Sequence, residues 1–121
     1  MNRIGKATLV AIFACMLWAP SALALNPFEK STFDLDQSDL EAIQAATQPY
    51  FDDDTVAPGT VREWSNAETG NSGTATLLER FEHDGMPCRR IQHDITIEDV
   101  ADKFRYIIDR CQVADGSWKL L

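Results

Sequence analysis

The sequence predicts an α+β domain: one N-terminal helix packed on a four- to five-stranded antiparallel sheet. Three observations lead there. A capping pattern at Ser38 opens a run of apolar residues at helical spacing, the apolar period changes to two from Thr60 onward, and the segments around Cys88 and Cys111 pair as one hairpin in a single register.

The chain of 121 residues starts with Arg3 and Lys6, continues with an apolar run from Ala7 to Ala19, and then places Ser21, Ala22, Leu23 and Ala24, the small residues of a cleavage site. Together these describe a secretory signal peptide over residues 1–24, with cleavage expected after Ala24. Cys15 opens a second reading, because Ile12, Phe13, Ala14 and Cys15 loosely resemble a bacterial lipobox. Phe13 is bulky where a small residue is usual, and the residues after Cys15 stay apolar. Cys15 is therefore expected to leave with the leader. The apolar run is too short to span a bilayer comfortably and no later stretch is apolar enough, so no transmembrane segment is expected after signal removal.

Residues 25–34 contain Pro27 and no regular pattern, and read as a lead-in segment; residues 35–121 form the domain. Losing the leader leaves nine Lys and Arg against nineteen Asp and Glu, a formal charge of −10. Such a chain does not seek nucleic acid or anionic lipid. Its length supports one modest core.

The helix is expected to begin at Ser38, Asp39, Leu40 and Glu41, a capping box in which Ser38 accepts from the amide of Glu41 and Glu41 reaches back. Leu40, Ile43, Ala46 and Thr47 follow at helical spacing, and Pro49 is expected to end the run. Asp52, Asp53 and Asp54 lead into Pro58 and Gly59, a solvated loop. Three consecutive carboxylates do not match a calcium loop, whose ligands alternate.

Thr60 to Trp64 is a candidate strand, and Ser65 to Gly73 a glycine- and asparagine-rich loop. A strand follows that loop, so it is not read as a phosphate cradle, which would open a helix. This next strand, Thr74 to Glu82, is expected to carry Leu77 and Phe81 on one side, with the choice between Leu77 and Leu78 for the core left open. His83 to Pro87 is a turn.

Cys88–Ile97 and residues 102–111 then pair through a loop at residues 98–101. Cys88 falls opposite Cys111, Arg90 opposite Asp109 and Asp94 opposite Arg105, so one bridge and two opposite-charge pairs share one face. Ile91, His93, Ile95, Ile97, Phe104, Tyr106 and Ile108 occupy the other, apolar face. Arg89 faces Arg110, a like-charge pair expected to splay into water at the open end. Two cysteines remain after the leader, an even count in an oxidising compartment, and one disulfide is expected, contributing roughly 3 kcal/mol by closing a loop of this size. Asp115 and Gly116 make a last turn before a short strand from Ser117 to Leu121.

The combination Trp64-Ser65-Asn66, Thr69-Gly70-Asn71-Ser72-Gly73, Gly85 three residues before Cys88-Arg89, Cys111, and Asp115-Gly116-Ser117-Trp118-Lys119 resembles the C-terminal surface-antigen domain of the seventeen-kilodalton surface antigen family of Gram-negative envelope proteins. The resemblance covers about residues 35–121. It implies an exported envelope protein, periplasmic or surface-associated, with no established enzymatic activity and no catalytic residues to carry over.

A Cys/His nucleophile would need a free cysteine and a histidine within reach. The register instead points His93 away from Cys88 and makes it a residue at the core's edge. Zinc would need paired ligand spacing, which Cys88, Cys111, His83 and His93 lack. No carboxylate pair is singled out for acid/base work. Trp64 and Trp118 can either present an aromatic platform to a sugar or peptide or close a small core. The expectation is thus no catalytic residue, no metal and no cofactor, and a structural or interaction role with an envelope protein or cell-wall component as partner. The alternative is a small periplasmic hydrolase or enzyme inhibitor, motivated by the acidic surface and two histidines.

Overall fold

A computed structural model describes residues 35–100 and 103–121. The expected signal peptide, Cys15 and the lead-in lie outside the described residues. One helix, α1 (Gln37–Asp52), precedes five strands: β1 (Val61–Ser65), β2 (Ser72–His83), β3 (Met86–Thr96), β4 (Lys103–Gln112) and β5 (Trp118–Leu120). The strands form one antiparallel meander in the order β1-β2-β3-β4-β5, and the helix packs on one face of it.

The hairpin of β3 and β4 has the expected register: Cys88 pairs with Cys111, Arg90 with Asp109, Ile91 with Ile108 and Asp94 with Arg105. Cys88 and Cys111 are bonded, S–S 1.98 Å, and both are buried. A two-residue turn joins β2 to β3, with Asp84 at φ 49° and Gly85 at φ 77°. Positive φ at both positions gives the twist that lets adjacent strands continue without splaying.

The helix departs from expectation at both ends. Its N-cap is Asp36, not Ser38, and Asp39, three residues on, accepts from the Asp36 amide at 3.1 Å. The reciprocal spacing is as predicted but begins two residues earlier, because Ser38 and Asp39 are engaged by the β1–β2 loop. Pro49 does not end the helix; it lies inside it. Proline removes one hydrogen bond, to the carbonyl of Ala45, but Ala45 is exposed and water can serve that oxygen. Tyr50 holds the last turn down: it is fully buried, and its hydroxyl shares one proton between the Thr60 and Ala75 carbonyls at 2.8 and 2.7 Å.

The buried helical positions Asp39, Ile43, Ala46, Thr47 and Tyr50 form one stripe. Ile43 and Ala46 meet Trp64 and Ile95, flanked by Leu35, Phe104, Tyr106 and Ile108. Tyr50 meets Ala75, Leu77 and Ile91. Leu77, not Leu78, faces the helix. The β2–β3 register shifts between Leu77 and Glu79, and this bulge corrects the expectation for Phe81. The extra residue flips the alternation, so Phe81 pairs with Cys88 on the face away from the helix while Leu77 pairs with Ile91 beneath it.

Arg89 and Arg110 correct a further expectation, since Arg89 is buried on the helix side rather than splayed into water. Its Nε donates to the Tyr50 carbonyl at 2.9 Å, its Nη1 to the Cys88 carbonyl at 2.9 Å and its Nη2 to Asp54 at 3.2 Å. The helix's last carbonyls lack intrahelical donors and carry the negative end of its dipole, which is where a guanidinium is stabilised. His93 likewise proves to be a core residue, 5% exposed.

Candidate functional site

The residues quoted for the family resemblance converge on the fold's joints. Asp39 is fully buried and receives Asn66 Nδ2 at 2.8 Å, Thr69 Oγ1 at 2.6 Å and Asn71 Nδ2 at 3.0 Å, besides the Asp36 amide. Asn66 also donates to the Ser38 hydroxyl, and Asn71 Oδ1 accepts from the Glu98 amide. Burial alone would raise the Asp39 pKa. The donors from Thr69, Asn71, Asn66 and the Asp36 backbone outweigh it and hold the carboxyl below its ordinary value. Gly73 serves the same end of the sheet: a β-carbon there would strike the Asp94 carbonyl and the Trp64 indole. Asp115 accepts from the Ser117 amide at 2.8 Å and shapes the turn that delivers Trp118.

Trp64 and Trp118, the two candidate binding residues, are not brought together. Trp64 is 6% exposed, in the core beside Ile43 and Ala46 at the helix's first half. Trp118 is half-buried near the helix's last turn, 5.0 Å from the Phe51 ring and 5.0 Å beneath the Arg89 guanidinium. Of the two, only Trp118 retains a surface.

The face away from the helix is the accessible one. Arg90 makes a bidentate pair with Asp109 at 2.9 and 3.0 Å and reaches Glu79 at 3.1 Å. Asp94 accepts from Arg105 at 2.7 Å and from Gln92 at 3.0 Å. Burial pushes the Asp94 carboxyl up, but Arg105 and Gln92 hold it below its ordinary value. Beside these pairs lies an open depression of about 590 Å³, lined by Glu63, Ser65, Ser72, Thr74, Asp94, Thr96 and Lys103 over the backbone of Trp64 and Gly73. Its rows follow the register: Glu63, Thr74, Asp94 and Arg105 in one, Ser65, Ser72, Thr96 and Lys103 in the next. Four hydroxyls lie between an acidic and a basic side, a surface suited to hydrogen bonding.

The cysteines are bonded to each other, and His93 lies on the opposite face from them, as its register position requires. Burial and the nearby Arg110 push the His93 pKa down to about 4, against a smaller opposing pull from Asp94, so its imidazole is neutral at pH 7. Among the described residues no group of three or more His, Cys, Asp and Glu is placed to hold a metal ion. No described helix is long and apolar enough to cross a membrane.

Sequence reasoning missed Asp39 and Arg89. Asp39 had a signal: it sits four residues before Ile43, on the apolar stripe, where a carboxylate must find donors. Arg89 had a comparable one, occupying an apolar-face position of its strand. Comparison with family models, with characterised proteins and with solved structures gives no match for this chain, so the family resemblance rests on the motif residues alone.

Proposed function

We propose that this chain is an exported bacterial envelope protein, periplasmic or surface-associated, with a structural or interaction role rather than an enzymatic one. The observation that carries the reading is the buried Cys88–Cys111 bond in a chain this small, a feature of proteins matured in an oxidising compartment. The leader-like residues 1–24 agree with it. Relationship to the surface-antigen domain is part of the same proposal. In its support, the residues that carry the resemblance are engaged in holding helix, loops and turns, as a shared fold signature would be.

The open sheet face, with the depression between Glu63 and Lys103, is the surface proposed to meet an envelope protein or cell-wall component. Its hydroxyls and paired charges stand ready to exchange water for polar partners at modest desolvation cost.

Expression of the full chain in a Gram-negative host tests the export reading. The mature protein is expected outside the cytoplasm, shorter by residues 1–24 and lighter by two hydrogens. An unprocessed, fully reduced cytoplasmic product would overturn it. A photo-crosslinking residue placed at Thr74 and, separately, at the exposed helical Gln44 then tests the surface. Reproducible adducts at Thr74 and not at Gln44 are expected, and adducts equally frequent at both would remove the assignment.

A further inference from the structure

Three arginines gather where the helix ends, in a chain whose net charge is −8. Two are accounted for by the fold. Arg80 donates to the Asp53 and Val56 carbonyls at 2.8 and 2.9 Å, Arg89 donates to Tyr50, and Asp54 lies within 3.7 and 3.2 Å of the two guanidinia. Arg110 is not. It stands directly opposite Arg89 on the same face, an arrangement that like charge makes unfavourable, and among the described residues it makes neither a hydrogen bond nor an ion pair. Its guanidinium lies 6.0 Å from the Phe51 ring centre. Phe51 packs on Trp118 at 5.0 Å, and Trp118 lies under Arg89 at 5.0 Å. Arg110, Phe51, Trp118 and Arg89 thus form one run of contacts, two aromatic rings between two cations, with Arg89 buried and the other three half-buried at one end of the sheet.

We propose that this cluster binds a small organic monoanion, a carboxylate whose oxygens are taken by the Arg110 fork and whose apolar body lies against Trp118 and Phe51. A guanidinium presents paired donors matched to a carboxylate, and burial, which already pushes the Arg110 pKa down, strengthens any anion contact made there. The aromatic walls reward an apolar body next to the charge. The strongly acidic remainder of the chain repels a dianion such as phosphate more than a monoanion, which selects the carboxylate. The inference is independent of where the protein is sent and of what meets the open sheet face.

The test is a titration of the disulfide-bonded protein with benzoate, acetate and inorganic phosphate, followed on the Arg110 Nε–H and Trp118 indole N–H resonances. Benzoate is expected to give saturable shifts of both signals and to bind about tenfold more tightly than acetate or phosphate. Arg110→Gln should abolish the saturable response, whereas Arg105→Gln, on the open face, should leave it intact. Arg110→Lys keeps the charge without the fork and should weaken benzoate by about tenfold; it decides the matter if the glutamine variant fails to fold. Trp118→Leu should remove benzoate's advantage over acetate. No saturable shift with benzoate up to about 100 mM, unchanged affinity in Arg110→Lys, or tighter binding of phosphate than of benzoate would overturn the proposal.

Discussion

The two ends of α1 are fastened to the sheet by opposite chemistry. At its start a carboxylate, Asp39, is surrounded by amide and hydroxyl donors from the β1–β2 loop. At its finish guanidinia from β2 and β3 reach back to carbonyls of the last turn and the loop beyond. The helix dipole explains the division, since its N-terminus favours an anion and its C-terminus a cation. The first tie meets its charge with neutral side-chain and backbone donors, the second with backbone carbonyls and the exposed carboxylate of Asp54. The contrast teaches that a helix of 16 residues with few strongly apolar positions can be held by its ends as well as by its stripe.

Asp39→Asn should break the first tie and have the largest effect. The amide would point donors at donors, and a loss of about 3 kcal/mol is expected in denaturant unfolding. Native-state hydrogen exchange should show faster opening of residues 37–43 and 66–71 while the helix's last turn stays protected.

Acid should strain the core between the two ties. His93 has a folded pKa of about 4 against an ordinary 6.5, so the unfolded chain takes up the proton first. Stability is then fully present above pH 6.5 and declines as pH falls through 4, by roughly 3 kcal/mol in all. His93→Gln should flatten that segment of the stability curve. A second decline, set by Asp39, should begin only below its ordinary value of 3.8, because a lowered carboxyl pKa withdraws its stabilisation as pH drops through it. A curve without slope between pH 6.5 and 4 would contradict the buried neutral imidazole.

Arg89→Met sharpens the comparison from the other end. Packing against Trp118 survives, but the Tyr50 carbonyl loses its donor, and a cost of about 2 kcal/mol is expected. Exchange should quicken at residues 49–54 and not at 37–43, the reverse of the Asp39 variant. Simultaneous loosening of both ends in either variant would mean that the ties are one cooperative unit.

The smallest effect belongs to the open face. Asp94→Ala removes the Arg105 and Gln92 contacts, yet solvent screens such a pair, and less than about 1 kcal/mol should be lost in thermal unfolding.

The β3–β4 hairpin was legible because several local requirements agreed: period-two apolar residues, two opposite-charge pairs and two cysteines all demanded one register. The β2 bulge was not, since nothing in Leu77, Leu78 and Glu79 announces it. Only the need to place Leu77 under Tyr50 and Phe81 opposite Cys88 does. Pro49 misled for a related reason. Proline's local penalty is real, but Tyr50 beyond it gains burial and a shared hydroxyl contact with two carbonyls.

What the sequence by itself determined is the α+β class, the order of elements, the hairpin register and the disulfide partners, because each follows from periodicity or from spacing within a short stretch. Only the tertiary structure decided that Asp39, Arg89 and His93 are interior, that Trp64 belongs to the core while Trp118 keeps a surface, and that Arg110 stands over Phe51 with no ion pair among the described residues. Those outcomes depend on partners far along the chain, such as Asp39 with Asn71, 32 residues away. A polar side chain's fate is set by which donors and acceptors the fold brings to it, a quantity that no local pattern contains.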